Sequence, residues 1–162
     1  MRGEFSRLFC DDELQSVLKG KTIRQVNRSI THHVGAIRGM HYQRYPHAEM
    51  KIIQCLRGSV YDVAVDLRMN SPTYLQWIAV ELGPDSVNGL IIPEGCAHGF
   101  QSLNEDSELV YFHTAPYIPE SEGGVRYDDR LLQISWPLQV CDISARDLSH
   151  LPIDNNFQGV TI

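Results

Sequence analysis

No apolar run in this chain approaches the roughly 20 residues that a membrane-spanning helix needs, and the first residues lack the apolar core of a secretory signal. The expectation is a protein that keeps clear of membranes and works in the cytoplasm. Cysteine is sparse as well. Cys10, Cys55, Cys96 and Cys141 form no CxxC pair and no zinc-ligand spacing, so they read as reduced thiols rather than a disulfide framework. Positive charge is also in short supply. Against 20 Asp and Glu stand 14 Lys and Arg, and the net charge of −6 argues against a nucleic-acid partner. It still allows a phosphorylated small molecule, because a few local arginines can hold one on an acidic background. Internal repeats, low-complexity tracts and linkers are missing too. A chain of 162 residues with 43% hydrophobic content can bury one ordinary core, so one domain over 1–162 is expected.

What is present is mostly strand signal. Ile23 to Asn27 alternates, Lys51 to Leu56 is β-rich, and Ser59 to Leu67 sets valines between Asp62 and Asp66. Tyr74 to Leu82, Gly89 to Ile92 and Glu108 to Thr114 follow. Breaks fall at Arg57-Gly58, Asn70-Ser71-Pro72, Gly83-Pro84-Asp85, Pro93-Glu94-Gly95 and Asn104-Glu105-Asp106. Short strands between such turns predict an all-β sandwich or barrel. Two short helices are expected outside it. One runs over Asp11–Lys19, with acids at its start and Gly20 past its end; the other is a single turn over Ser144–Leu148 capped by Ser144.

The chemistry concentrates at Arg38-Gly39-Met40-His41-Tyr42-Gln43, with Lys51 read as lying within the same β-hairpin. An imidazole can remove a proton near neutral pH, and neighbouring cations can stabilise the negative charge that results. That is equipment for proton abstraction beside a carbonyl on an anionic substrate. Asp62 and Asp66, four apart in one strand, share a face. Either they line a barrel interior, where carboxylates need partners, or that face is solvated and the valines form the core. His98 follows the Pro93-Glu94-Gly95-Cys96-Ala97 turn and faces the same cavity as His41 or is a structural histidine. His32, His33 and His47 read as surface residues.

The order of these motifs resembles the dTDP-4-dehydrorhamnose 3,5-epimerase family, the nucleotide-sugar 3- and 3,5-epimerases of the cupin superfamily. The resemblance runs through Arg2-Gly3-Glu4-Phe5, Gln25-Val26-Asn27, Arg38 to Gln43, Lys51, and Gly58 through Asp62 to Arg68. It continues through Ser71-Pro72-Thr73, Ile92 to Gly95, Ala97 to Phe100, Tyr111, Pro119 to Glu122, Trp136-Pro137 and Ser144 to Asp147. It implies an all-β, cupin-type jelly-roll barrel with short peripheral helices, usually in a homodimer that exchanges N-terminal strands. It implies that the substrate is a nucleotide-diphosphate sugar and that no cofactor or metal is used. His41 then corresponds to the base that removes the proton beside the C4 ketone, and Asp147 to the carboxylate paired with it. Lys51 corresponds to the cation facing the enolate oxygen, and Tyr111 to the acid on the opposite face. Arg38, Gln25, Asn27, Asp62 and His98 correspond to substrate-contacting positions, with Arg2 and Phe5 reaching the nucleotide end from the partner subunit.

Some features depart from the family pattern. The chain begins almost at the Arg2-Gly3-Glu4-Phe5 element, so the expectation is that the family's first strand is shortened or absent, by trimming or with a reduced dimer exchange. Phe112 stands where the family often has lysine, and Pro116-Tyr117 replaces a tyrosine pair, changes expected near the sugar. Local patterns also allow plainer readings: Lys51 as a strand-edge lysine, Tyr111 as a core aromatic, Asp147 as an acid in a first helical turn. Other functions on the same fold are a nucleotide-sugar 3,4-ketoisomerase, a metal-dependent cupin enzyme and a non-catalytic sugar-nucleotide-binding cupin. Pro93 to His98 resembles a cupin half-motif, but His41-Tyr42-Gln43 interrupts the HxH pattern that a cupin metal wants.

Overall fold

The computed structural model describes residues 2–86 and 89–162. Helix α1 spans Asp11–Leu18, with Asp11, Asp12 and Glu13 in the first turn, where the helix dipole favours acids. It ends because Lys19 turns left-handed, its N–H donating to Gln15 O at 2.9 Å, and Gly20 continues at φ +84°. Nine strands follow among the described residues. They are β1 (Gln25–Thr31), β2 (Ile37–Gln43), β3 (Lys51–Arg57), β4 (Val60–Asp66), β5 (Trp77–Leu82), β6 (Gly89–Ile92), β7 (Cys96–Ser102), β8 (Ser107–His113) and β9 (Glu122–Gly124). Helix α2 is the single turn Ala145–Leu148, and the Ser144 hydroxyl accepts from the Asp147 N–H at 3.0 Å as its cap. No helix among the described residues is long and apolar enough to cross a membrane.

The strands form two antiparallel sheets, ordered β1-β8-β3-β6 and β5-β4-β7-β2-β9. This is the jelly-roll barrel expected. One expectation fails: β2 and β3 do not make a hairpin. They belong to opposite sheets, because the link over residues 44–50 carries the chain across the barrel. Lys51 therefore meets His41 across the interior, its ammonium donating to His41 O at 3.3 Å. The edge-lysine reading of Lys51 falls with it, since β3 is paired on both sides, by β8 and β6.

The interior changes character along three cross-strand pairs of β3 and β8. Lys51 pairs with His113, then Ile53 with Tyr111, then Cys55 with Leu109. Side chains two apart share a face, so the polar pair opens a cavity at one end. The apolar pair meets Val60, Ala64, Leu82, Ile92 and Phe100 and closes the other. Strand β4 is buried on both faces. Val63 and Val65 point outward under Leu132, Trp136 and Val160, so the C-terminal segment, weakly patterned in sequence, covers the five-stranded sheet. Asp62 and Asp66 are nonetheless inaccessible, which removes the solvated-face alternative. On the other sheet Leu14 and Leu18 of α1, with Phe9 just before it, pack over Ile52, Val110 and Phe112. Phe112 stacks on Phe9 at 5.5 Å between ring centroids. It points away from the cavity because its neighbours Tyr111 and His113 point in. The departure at Phe112 therefore does not reach a sugar in the cavity, contrary to the expectation from sequence.

Candidate active site

The cavity encloses about 970 Å³, within the usual size of a small-molecule site. Gln25, Asn27, Arg38, His41, Lys51, His98, Tyr111 and Asp147 all line it. Three residues expected at the site do not. Asp62 lies behind His98 and reaches the cavity only through that ring, whose Nε2–H donates to Asp62 Oδ1 at 2.5 Å. Arg2 and Phe5 sit outside the sheets, and Phe5 is 99% exposed. The surface readings hold for His32 and His33, which are exposed at the cavity rim, while His47 is half-buried.

Gly39 explains why His41 faces inward. The β2–β7 register shifts between Arg38 and His41, and such a bulge re-aims the following side chain. Gly39 adopts φ +121°, and a Cβ there would sit 2.5 Å from Gly99 Cα and 2.7 Å from His98 O. Only two facing glycines let the strands approach so closely. The same backbone turns the Gly39 N–H toward α2, where it donates to Asp147 Oδ2 at 3.1 Å.

His41 Nε2–H donates to Asp147 Oδ1 at 2.8 Å. The His41 side chain is 23% exposed and that of Asp147 only 4%, so the imidazole meets the cavity while its carboxylate stays sealed behind it. Burial works to raise the Asp147 carboxyl, but hydrogen bonds from His41 and the Gly39 N–H, with the His41 charge, outweigh it and hold it well below the usual carboxylate range. One imidazole nitrogen is thus fixed on an ionised carboxylate and the other is free to take a proton.

The opposite sheet supplies Lys51 and Tyr111. The Tyr111 hydroxyl is 3.0 Å from Ser29 Oγ, and burial pushes its pKa far above neutrality, so it holds its proton. The ring also lies edge-on to His98 at 6.2 Å between centroids.

Glu49 and His113 escaped the sequence reading. Glu49 Oε1 lies 3.3 Å from Lys51 Nζ, and Oε2 accepts from His113 Nδ1–H at 2.8 Å. His113 Nε2 faces Asn27 Nδ2 at 3.4 Å. The signal was available as Glu49-Met50-Lys51 and Tyr111-Phe112-His113, where period-two spacing puts the polar pairs on one face. Arg146 was missed as well. Its guanidinium lies 3.3 Å from His41 Nε2 and 3.3 Å from Glu122 Oε2, and the Tyr117 hydroxyl donates to that same carboxylate oxygen at 3.0 Å.

A family model described as dTDP-4-dehydrorhamnose 3,5-epimerase matches residues 1–155. A protein of that name from Sinorhizobium fredii is 37% identical over 99% of this chain and 85% of its own length. The structure of the 3,5-epimerase of Legionella pneumophila, solved with dTDP-4-keto-L-rhamnose, superposes with a TM-score of 0.88. It shares 36% identity and covers 98% of this chain and 86% of that one. A 3'-monoepimerase from Streptomyces bikiniensis, solved with dTDP-quinovose, superposes with a TM-score of 0.85 at 32% identity. That match covers 93% of this chain and 77% of the other.

Proposed function

The chain belongs to the dTDP-4-dehydrorhamnose 3,5-epimerase family, and from that premise we propose that it inverts C3, C5 or both of a 4-keto-6-deoxy nucleotide-diphosphate sugar. The observation that carries the reading is the His41–Asp147 pair facing Lys51 and Tyr111 across one cavity. His41 takes the proton from the carbon beside the C4 ketone, and Asp147 holds the resulting imidazolium. The enolate oxygen needs a fixed positive charge as it forms, and Lys51 supplies it. Inversion then requires a proton from the other face. Tyr111 comes from the opposite sheet to His41 and is protonated at neutral pH, as that role demands. Every step is a proton transfer, so the scheme calls for neither a cofactor nor a metal. Arg38, Gln25, Asn27 and His98 contact the substrate, with Asp62 holding His98 in place.

A homodimer extends this reading. Strand β1 is an edge of its sheet, with Val26 and the preceding Phe5 exposed. A second copy there would cover that edge and bring its own Arg2 and Phe5 to the nucleotide end. The enzyme is one domain of the cytoplasm without a nucleic-acid partner; its four free thiols and net charge of −6 suit that setting.

The test is incubation with dTDP-4-keto-6-deoxyglucose in deuterated water, read carbon by carbon by NMR. Deuterium is expected at C3, C5 or both. A folded protein that leaves both carbons protonated overturns the proposal, and a migrated carbonyl identifies a ketoisomerase instead. Sedimentation velocity checks the dimer; a monomer at working concentration refutes it.

A further inference from the structure

His150 stands beside the proposed base and is assigned no role in the proposed epimerisation. Its ring lies edge-on to His41, 5.8 Å between centroids at 71°. Its Nε2 is buried without a hydrogen-bond partner, a condition shared among buried side-chain atoms of the described residues only by Asp62 Oδ2. Such an orphan is costly unless something binds it. The ring has a dedicated seat. Gly124 pairs with His41 across β2 and β9, and a Cβ at position 124 would collide with the His150 ring.

His41, Asp147 and His150 each offer one donor atom, and the three atoms lie within 4.8 Å of one another. Metal bonds of about 2.1 Å bring tetrahedral donors to about 3.4 Å apart, so modest side-chain rotations complete the set. Two imidazoles with one carboxylate suit Zn²⁺, Ni²⁺ or Cu²⁺, whereas Mg²⁺ and Ca²⁺ want oxygen alone. The Gly39 N–H on Asp147 Oδ2 is the kind of outer contact that orients a ligating carboxylate.

We infer that His41, Asp147 and His150 form a binding site for a late first-row divalent ion, and that the ion, bound at His41 Nε2, arrests turnover because the ring's proton then sits on Nδ1, the nitrogen that would otherwise take the substrate proton. The arrest rests on the proposed role of His41; the binding does not. One group opposes the ion. The Arg146 guanidinium lies 3.3 Å from His41 Nε2 and 3.5 Å from Asp147 Oδ1. Its side chain is 55% exposed, and its link to Glu122 is the long one of 3.3 Å, so it can swing into solvent. Arg146 and the ion compete for one place.

The test titrates the full chain with Zn²⁺ against a fluorescent zinc indicator, with Co²⁺ absorption as a check on the ligand set. Deuterium uptake is followed in parallel. One ion per chain is expected, with inhibition reversed by chelation. His150→Phe fills the same seat without a donor. It should weaken Zn²⁺ at least tenfold, relieve inhibition and leave metal-free uptake unchanged, while Arg146→Gln tightens binding several-fold. Thermal melts establish that the variants fold, and His150→Asn replaces His150→Phe if that variant does not. Three results overturn the inference: no saturable Zn²⁺ binding, binding indifferent to His150→Phe as for an ion on surface histidines, or equal inhibition of wild type and variant. A wild type that binds Zn²⁺ through His150 but exchanges no deuterium overturns the epimerase reading alone.

Discussion

Two carboxylates in this molecule are held far below the usual range, and they do unrelated things. Asp147 meets an imidazole at the cavity wall. Asp66, at the end of β4, takes five hydrogen bonds: three from Arg68 at 2.7–3.0 Å, one from Ser71 at 2.5 Å and one from Thr73 at 2.6 Å. In both, burial pushes the carboxyl up and partners pull it further down. The difference lies in those partners. Arg68 is always charged, so Asp66 can only clamp the loop over residues 68–73. An imidazole partner is a titratable one, so in the proposed reaction the same electrostatics at Asp147 would stabilise one state of His41. A low carboxyl pKa marks a well-satisfied anion, and the partner's chemistry decides whether that anion is a site.

The comparison can be broken from either side. His41→Ala removes the proposed base, and deuterium uptake should fall by about 10³–10⁴-fold; the protein should stay folded but melt several degrees lower, because the buried Asp147 carboxylate loses its partner, checked by NMR and calorimetry. Asp147→Asn keeps the shape but not the charge and should cost roughly 10³-fold in kcat, with KM little changed. Tyr111→Phe should slow net inversion by about 10²-fold but leave proton–deuterium washout at the carbon facing His41. If washout and inversion fall together, Tyr111 is not the opposite-face acid. Asp66→Asn should cost about 2 kcal/mol in urea unfolding, modest because Arg68 is one-third exposed, with kcat unchanged.

Acid provides the finest distinction. Both carboxyls have folded pKa values below their unfolded value of about 3.9. Their stabilisation is therefore complete above that value and is lost as pH falls through it toward the folded pKa. Unfolding measured between pH 5 and 2 should show a shallower acid limb in Asp66→Asn than in wild type. An unchanged limb would mean that Asp66 is not clamped in solution.

Much of the fold was legible because its signals are local. The helix at Asp11–Leu18 ends one residue before the expected Lys19, and β6 spans Gly89–Ile92 as expected. Ser144 caps α2 as its residue type allows. The hairpin between His41 and Lys51 was wrong because nothing between them states whether the chain turns back or crosses to the other sheet. Tyr111 and Lys51 were separable from core and edge residues only through the ordered resemblance. Glu49 and His113 were readable from two-residue spacing, but only once strands β3 and β8 were known to face the cavity.

By itself the sequence determined that strands dominate, where turns interrupt them, which side chains share a face and which family pattern the whole order follows. These are properties of neighbours along the chain, set by alternation and turn chemistry. Only the tertiary structure decided that Asp147 would close on His41 and on the Gly39 N–H, contacts 106 and 108 residues apart. It also decided that Phe112 would leave the cavity and that His150 would occupy the space left by Gly124. Those outcomes depend on which sheets meet and how closely their backbones approach, and no local pattern encodes either.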